Sequence, residues 1–379
     1  MKYRKFGKLE FQVSALGFGC MRLPVKDKPD NIDEHGATEI LQFAIDQGVN
    51  YIDTAYTYHG GNSERLVGNA LKSGYREKVM LATKMPCWLI KDYNDFDRYL
   101  DEQLERLQTG HIDFYLLHGL HRKQWHKILD KDVFGWSEKA MTDGRINHLG
   151  FSFHDSYDVF KDIVDAYDNW SFCQIQYNYM NEDVQAGTMG LKYAAEKGLA
   201  VVIMEPLLGG FLTKPPDDVQ SIWDTAEKTI NPTDMAFQWL WNKPEISVVL
   251  SGMNTMEQVR QNLKSAGKSG IDTMTQENFD LIARVHAKYK ESTPIPCTKC
   301  GYCMPCPNDI DIPRNFELYS EGIIYKNMRL SKIFYNEFMA KIHRAGACIA
   351  CKSCEELCPQ HIEISSWMSR VDEALFKKE

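Results

Sequence analysis

Eight of the eleven cysteines in this chain lie in two short runs near its C-terminal end. In each run, three cysteines are separated by two residues, a fourth follows closely, and a proline comes directly after the fourth. Residues 297–307 read CTKCGYCMPCP, and residues 348–359 read CIACKSCEELCP. Because thiolates at such short spacing are metal ligands, the runs predict either iron–sulfur clusters or four-cysteine zinc sites.

The spacing favours two 4Fe-4S clusters, since four-cysteine zinc sites more often have two C-x2-C pairs well separated along the chain. The second run has the C-x2-C-x2-C-x3-C-P spacing of bacterial ferredoxins, and the first has one residue fewer before its last cysteine. In the two-cluster ferredoxins that both runs resemble, the fourth cysteine of each run binds the other cluster. The resemblance implies one cluster on Cys297, Cys300, Cys303 and Cys358, and another on Cys348, Cys351, Cys354 and Cys306.

A second set of reactive side chains lies at the ends of short apolar runs in the first part of the chain. Asp53, Lys84 and His118 each end one such run, and Tyr58 follows Asp53 by five residues. A carbonyl group that accepts a hydride develops negative charge on its oxygen, and a tyrosine hydroxyl can donate the proton that this oxygen needs. We expect Lys84 to lower the phenol pKa from about 10, Asp53 to keep Lys84 charged and oriented, and His118 to hydrogen-bond the carbonyl oxygen. Taken singly, each residue also suits a structural role, so this prediction depends on all four meeting at one place.

Eight apolar runs alternate with helix-period segments between about residues 10 and 290, which is typical of repeated βα units. Eight such units predict an α/β fold in the form of a TIM (β/α)8 barrel, which brings its strand ends, and hence these side chains, to one mouth. A doubly wound open sheet is the alternative, although no glycine-rich dinucleotide fingerprint follows the first run. The predicted strands are VSALGFG (13–19), YIDTA (51–55), VMLATK (79–84), DFYLLH (113–118), HLGFSF (148–153), CQIQYN (173–178), AVVIMEP (200–206) and ISVVLSG (246–252).

The barrel is predicted to span residues 1–290 and to precede a small α-helical, ferredoxin-like iron–sulfur domain at residues 291–379. The breaker-rich segment STPIP (292–296) marks the boundary. Helix-like sequence from about residue 313 to 344 separates the two cysteine runs, and metal ligation would supply much of the folding free energy of this domain. At the start of the chain, YRKFGKLEFQVS predicts a short hairpin around Gly7 and Lys8 that closes the bottom of the barrel.

The segments GVNYIDTAYTY, VMLATK and DFYLLH resemble the aldo/keto reductase family, and the resemblance spans about residues 1–290. It implies a TIM-barrel enzyme that uses NADP(H) or NAD(H) to interconvert a carbonyl compound (an aldehyde or ketone) and an alcohol. The implied catalytic residues are Asp53, Tyr58, Lys84 and His118, with Tyr58 as the general acid. The implied cofactor contacts are Ser152 and Gln174 at the nicotinamide carboxamide, Met204 beside the ring, Leu207, Gly209 and Gly210 at the pyrophosphate, and Ser251, Gly252, Asn254, Gln258 and Asn262 at the adenosine phosphate.

Several positions depart from the family pattern. Phe153 stands where the family usually has asparagine, and Met204 stands where an aromatic residue commonly stacks on the nicotinamide. The basic residues that often bind the 2′-phosphate align with Gly252 and Gln258, which leaves Arg260 as the nearest cation. The sequence therefore leaves the choice between NADPH and NADH open.

The clusters have two interpretations of equal weight. Either they relay single electrons from a ferredoxin or flavoprotein partner toward the barrel, or they mainly hold the domain together. The alternative to carbonyl chemistry is an electron-transfer or redox-sensing protein whose barrel binds nicotinamide or a partner without turnover. A formal net charge of −8 over 379 residues predicts no nucleic-acid or membrane partner. The start, MKYRKFGKLE, has no apolar leader, so the predicted location is the cytoplasm.

Overall fold

The computed structural model describes residues 1–324 and 328–376. Its strands are β1 Tyr3–Lys5, β2 Gln12–Ser14, β3 Leu16–Gly19, β4 Tyr51–Asp53, β5 Met80–Met85, β6 Ile112–Leu120, β7 Ile146–Phe153, β8 Phe172–Gln176, β9 Ala200–Met204 and β10 Ile246–Ser251. Its α-helices are α1 Glu34–Asp46, α2 Asn62–Ala70, α3 Asn94–Leu107, α4 Arg122–Leu129, α5 Val133–Thr142, α6 Tyr157–Asp165, α7 Gly187–Glu196, α8 Asp217–Trp223, α9 Pro232–Trp241, α10 Met256–Gly267, α11 Gln276–Ser292, α12 Ile312–Ile324, α13 Met328–Ile333 and α14 Ile364–Leu375. No helix within these two described ranges is long and apolar enough to cross a membrane.

Strands β3 to β10 form a closed barrel of eight parallel strands that follow one another in chain order around the ring. Leu16 of β3 lies opposite Val249 of β10, and this pairing closes the barrel. Each strand is followed by at least one helix, from α1 after β3 to α10 after β10. The prediction of an α/β TIM barrel is therefore confirmed, and the open-sheet alternative is wrong.

The first predicted strand is two strands in the structure. Val13 and Ser14 pair with β1 in an antiparallel hairpin, whereas the barrel strand β3 begins only at Leu16. At the break, the backbone N–H of Ser14 donates to Oδ1 of Asn50 (2.7 Å), and its hydroxyl donates to the backbone oxygen of Leu16 (2.7 Å). Apolar residues continue through the break, and for this reason the sequence pattern does not separate the two strands.

The hairpin of β1 and β2 closes the N-terminal end of the barrel, as the sequence predicts. Its turn has Gly7 at φ +56°, where a Cβ would lie only 2.4 Å from the backbone nitrogen of Ala200, so the turn requires glycine. The turn places the fully buried ring of Phe6 against Phe114 and Phe172, at centroid distances of 4.5 and 5.6 Å. Side chains therefore fill the bottom of the barrel, and the strand-end residues lie at the opposite, carboxyl end.

The chain folds into two compact units. The first unit contains the whole barrel and consists of Met1–Pro206 and Asp234–Met274, and the second consists of Leu207–Thr233 and the chain from Thr275 onward. In the second unit α8 packs on α11, where the hydroxyl of Ser292 donates to Oδ2 of Asp218 (3.3 Å). The division at residue 290 stays a prediction.

The part of the second unit that follows α11 has an apolar core of its own. Phe316 of α12 and Met368 of α14 are buried in this core together with the buried cysteines Cys303, Cys306 and Cys354. The helix-like stretch predicted at residues 313–344 contains most of α12, all of α13 and a π-helical turn at Phe334–Phe338. Residues 325–327 of that stretch lie outside the described residues.

Candidate functional site

The carboxyl ends of two neighbouring strands bring together a buried ion pair. Asp53 ends β4, Lys84 lies near the end of β5, and Nζ of Lys84 is 2.6 Å from Oδ1 of Asp53. The ammonium also donates to the backbone oxygen of Thr54 (2.7 Å). Burial lowers the pKa of Lys84 and raises that of Asp53, and the charge of each residue opposes the shift in the other. Lys84 is therefore held at one place by two acceptors.

Tyr58 is held beside this ion pair by a tight turn. The turn passes through left-handed backbone at His59 (φ 52°) and Gly60 (φ 64°). Nζ of Lys84 lies 4.9 Å from the centre of the Tyr58 ring, and the imidazole of His118 lies edge-on at a centroid distance of 6.0 Å. The structure thus brings all four predicted strand-end side chains to one mouth.

The phenol of Tyr58 holds its proton more tightly than an ordinary tyrosine does. Burial is the first cause that raises its pKa well above the usual value, and the negative charge of Asp53 is the second, with Cys20 and Glu205 adding to it. The expected pKa below about 10 is therefore not found in the folded chain, because burial and the negative charge of Asp53 raise it. At neutral pH the phenol is protonated, which is the form that a general acid needs.

His118 is a buried and neutral imidazole at the end of the barrel interior. Burial is the main cause that lowers its pKa well below the ordinary value, and the charge of Lys84 adds to this effect. Its Nδ1 is buried and has no hydrogen-bond partner in the described chain. The ring of Trp88 lies 5.0 Å from the imidazole, centroid to centroid. A neutral imidazole can donate one hydrogen bond, as a group that polarises a carbonyl must.

Two residues predicted to contact a nicotinamide lie side by side on neighbouring strands. Ser152 of β7 and Gln174 of β8 are register partners, and both are almost fully buried. The hydroxyl of Ser152 accepts a hydrogen bond from the backbone N–H of Gly119 (2.8 Å), whereas Oε1 of Gln174 is buried without a partner in the described residues. A buried amide oxygen needs a donor, and the amide N–H of a nicotinamide carboxamide is one. Met204 ends the next strand, β9.

Four of the five residues predicted to contact the adenosine phosphate form two hydrogen-bonded pairs at the end of β10 and just after it. Nδ2 of Asn262 donates to the hydroxyl of Ser251 (3.0 Å), and the backbone N–H of Asn254 donates to Oε1 of Gln258 (2.9 Å). Thr255 caps the start of α10 in the same segment. Backbone N–H groups at the start of a helix favour anionic groups, so this segment fits the phosphate contact implied by the family resemblance.

The cations near this segment differ from the expectation. The guanidinium of Arg260 lies 4.7 Å from the centre of the Phe43 ring on α1. Arg22, which the sequence analysis missed, lies against Gly252, since a Cβ built at Gly252 would be 3.1 Å from the Cβ of Arg22. Its Nη2 is 3.9 Å from Oε1 of Glu205, another residue that the sequence analysis missed. Arg22 closely follows the carboxyl end of β3, and Glu205 follows that of β9. This position after a barrel strand is the sequence signal that could have identified them as candidate site residues.

The glycine-rich segment predicted at the pyrophosphate belongs to the second unit. Leu207 precedes a turn of 3-10 helix at Leu208–Thr213. Gly209 (φ 67°) and Gly210 (φ 96°) have left-handed backbone, which glycine adopts without strain. The backbone N–H of Gly210 donates to the backbone oxygen of Leu207 (3.0 Å).

Two cavities in the second unit are each lined by four cysteines. The first is lined by Cys297, Cys300, Cys303 and Cys358, and the second by Cys306, Cys348, Cys351 and Cys354. This is the grouping that the ferredoxin resemblance implies, in which each run contributes its fourth cysteine to the other set. Within the described residues, no three His, Cys, Asp or Glu side chains converge closely enough to hold a single metal ion. Four thiols that surround a cavity with apolar side chains in its walls fit a 4Fe-4S cluster.

The loops around these cavities direct backbone N–H groups toward sulfur. Ala350 has left-handed backbone (φ 54°), and its N–H donates to Sγ of Cys348 at 3.4 Å. In the first run, the N–H of Asn308 donates to Sγ of Cys306 at the same distance. Burial raises the pKa of Cys297 to about 11, so a bound metal cation is what would favour its thiolate form.

Two family models match this chain along most of its length. The model of the aldo/keto reductase family matches residues 15–285, which include the barrel. The model of a 4Fe-4S dicluster domain matches residues 296–363, which include both cysteine runs.

Two relatives of this chain are named as an oxidoreductase and a dehydrogenase, at 26% and 27% identity. L-galactose dehydrogenase from Arabidopsis thaliana is 27% identical over 315 residues, which cover 77% of this chain and 97% of the relative. YqkF from Bacillus subtilis, described as an uncharacterized oxidoreductase, is 26% identical over 299 residues, covering 70% of this chain and 91% of its own. Among solved structures, the holo form of aldo-keto reductase AKR11C1 from Bacillus halodurans is similar with a TM-score of 0.63 and 26% identity, over 75% of this chain and 96% of that one.

Proposed function

This chain belongs to the aldo/keto reductase family and carries a 4Fe-4S domain, and on that basis we propose that it reduces an aldehyde or ketone to an alcohol with NADPH or NADH, and catalyses the reverse reaction. The observation that carries this proposal is the meeting of Asp53, Tyr58, Lys84 and His118 at one barrel mouth. The similarity to a protein named as a sugar dehydrogenase supports a carbonyl and alcohol pair as the substrate class.

In this proposal, the substrate's carbonyl oxygen lies against the hydroxyl of Tyr58 and the imidazole of His118. A bound nicotinamide supplies the hydride for the carbonyl carbon. Tyr58 gives its proton to the carbonyl oxygen, which becomes the hydroxyl of the alcohol, and Lys84 stabilises the phenolate that remains. Asp53 keeps Lys84 in position through their ion pair, and neutral His118 donates a hydrogen bond to the oxygen as its negative charge develops.

The same proposal assigns the cofactor contacts. The buried, unpartnered Oε1 of Gln174 supports a hydrogen bond from the carboxamide N–H, with Ser152 beside it. Met204 would pack on the ring through its polarizable thioether. The remaining proposed contacts are Leu207, Gly209, Gly210, Ser251, Gly252, Asn254, Gln258 and Asn262.

Carbonyl reduction should depend little on pH between about 6.5 and about 10, which are the ordinary pKa values of histidine and tyrosine. The pKa of His118 lies well below its ordinary value and that of Tyr58 lies well above, so the imidazole stays neutral and the phenol stays protonated across this interval. The measurement is kcat/KM for a carbonyl substrate at saturating NADPH as a function of pH. On the alkaline side, loss of the proton of Lys84, whose pKa burial lowers, and ionisation of the phenol should both reduce the rate. A midpoint inside the interval would show that at least one of His118, Lys84 and Tyr58 lacks the protonation state proposed for it.

We also propose that the eight clustered cysteines bind two 4Fe-4S clusters, which either exchange single electrons with a ferredoxin or flavoprotein partner or mainly hold the domain together. The support is the pair of cavities, each lined by four cysteines. The same observation favours a second candidate function, in which the chain is an electron-transfer or redox-sensing protein and its barrel turns over no carbonyl. The cytoplasmic location stays a prediction.

Anaerobic purification followed by redox titration should distinguish these functions. We expect iron and acid-labile sulfide in equal amounts, since a 4Fe-4S cluster contains both, whereas a zinc site contains no sulfide. Visible absorbance during titration with dithionite, NADPH and NADH then reports whether the clusters are reduced and by which donor. Turnover of carbonyl substrates with NADPH or NADH supports the reductase. Cluster reduction by dithionite together with no turnover across a broad carbonyl panel would favour the second function.

A further inference from the structure

A buried polar cluster lies between α2 and α3, behind the strand that carries Lys84. Glu64 at the start of α2 is fully buried. Its carboxylate accepts hydrogen bonds from the hydroxyl of Thr83 (2.6 Å), the amide of Gln103 (2.6 Å) and the guanidinium of Arg106 (3.3 Å). A buried carboxylate is costly unless it is paired and hydrogen-bonded in this way, so these four side chains form one unit, the Glu64–Arg106 cluster.

One side of the Glu64–Arg106 cluster holds the backbone at Lys84. The amide of Gln103 that donates to Glu64 also donates to the backbone oxygen of Lys84 (3.0 Å). The hydroxyl of Tyr115 donates to Oε1 of Gln103 (2.6 Å), which fixes the orientation of this amide. Because Thr83 is bonded to Glu64 as well, two successive residues of β5 are tied to the cluster.

The other side of the cluster holds the loop that carries Tyr58. Nη1 of Arg106 donates to the backbone oxygen of Tyr56 (3.2 Å), and the guanidinium carbon lies 4.1 Å from the centre of the Tyr56 ring. Glu102 accepts a hydrogen bond from the hydroxyl of Tyr56 (2.9 Å) and is ion-paired with Arg106. Tyr56 precedes Tyr58 by two residues, so this loop is fixed on both its backbone and its side chain.

We propose that Arg106 and Glu64 are positioning residues that set where Tyr58 and Lys84 lie relative to each other. Tyr58 and Lys84 lie on separate elements, a loop after β4 and the strand β5, and the Arg106 guanidinium is a shared link between them. The guanidinium donates to these two acceptors from Nη1 and to Glu102 from Nη2, and a lysine ammonium does not reproduce this planar arrangement of two donor nitrogens. The inference rests on the proposed function, since it assigns these residues to the reduction step.

The test compares Arg106→Lys with Arg145→Lys in the full chain. Arg145 is a matched control because it also pairs with carboxylates of α3, namely Asp97 (2.8 Å) and Asp101 (3.3 Å). Arg106→Lys should lower kcat for carbonyl reduction about 100-fold, the usual effect of a displacement near 1 Å, and leave the dissociation constant of NADPH unchanged. Arg145→Lys should retain kcat. Equal kcat values for the two variants, or a loss seen only in KM, would overturn the proposal.

A second measurement decides the inference without turnover. In chain labelled with 15N-lysine, the Nζ resonance of Lys84 is assigned by its loss in Lys84→Met. That resonance should shift in Arg106→Lys and in Glu64→Gln but stay in place in Arg145→Lys. If the unmodified chain reduces no carbonyl, the proposed function fails while the shift still reports on the positioning of Lys84. The inference is contradicted if the Nζ resonance shifts in neither Arg106→Lys nor Glu64→Gln. If Arg106→Lys does not fold, Glu64→Gln alone provides the test.

Discussion

Replacing Tyr58 by phenylalanine should lower kcat for carbonyl reduction by roughly 10² to 10⁴-fold, the ordinary contribution of a general acid. Phenylalanine keeps the ring that faces the ammonium of Lys84, so packing at the barrel mouth is preserved while the proton is lost. The raised pKa of Tyr58 strengthens this expectation, because the phenol carries its proton at every pH used for assay.

The measurement is steady-state turnover beside cofactor binding in the same preparation. Binding of NADPH, followed by tryptophan fluorescence, should be unchanged in Tyr58→Phe. Tyr75→Phe is the control, since that phenol bonds Asp46 at an exposed position and its loss should leave kcat unaffected. Full activity in Tyr58→Phe would show that another group donates the proton, and weakened NADPH binding would place Tyr58 among the cofactor contacts instead.

The barrel and its mouth could be predicted from the sequence because the signals are local. Each barrel strand is a short apolar run, and Asp53, Lys84 and His118 lie at or near the ends of theirs. Once the runs form a parallel barrel, their ends must lie close together. The 2.6 Å ion pair of Asp53 and Lys84 is thus a consequence of fold type and register, both of which sequence patterns report.

Other parts of the site depend on contacts between distant segments, and sequence patterns do not report these. The pKa of Tyr58 is set by its burial and by carboxylates that include Glu205, which follows β9. In the sequence, Arg106 is an ordinary charged residue of an amphipathic helix. Only the folded structure shows that it donates hydrogen bonds to both Glu64 and the backbone oxygen of Tyr56. Arg22 lies against Gly252 for the same reason, since β3 and β10 are neighbours only in the closed barrel.

The crossed grouping of the cysteines predicts an unusual pattern of iron loss in double variants. Cys306 and Cys351 line one cavity although they lie in different runs, whereas Cys303 and Cys306 are close in sequence and line different cavities. Cys306→Ser combined with Cys351→Ser should therefore lose about half of the iron, as either single variant does, because both remove the same cluster. Cys303→Ser combined with Cys306→Ser should lose nearly all of it.

Loss of a cluster should also loosen the C-terminal part of the second unit. Cys303 and Cys306 are buried in the same apolar core as Phe316 and Met368, so a missing cluster leaves part of that core without support. Much of the folding free energy of small metal-bound domains comes from the metal, and the double variant that loses both clusters should be cut by protease after α11 far faster than the unmodified chain. Cys173→Ala, which replaces a buried thiol of the barrel, is the control and should keep both iron and protease resistance.

The iron content of the double variant Cys306→Ser with Cys351→Ser also tests how the cysteines are grouped. If this variant lost all of its iron, each run would hold its own cluster. The cysteines that line one cavity would then not be the ligands of one cluster.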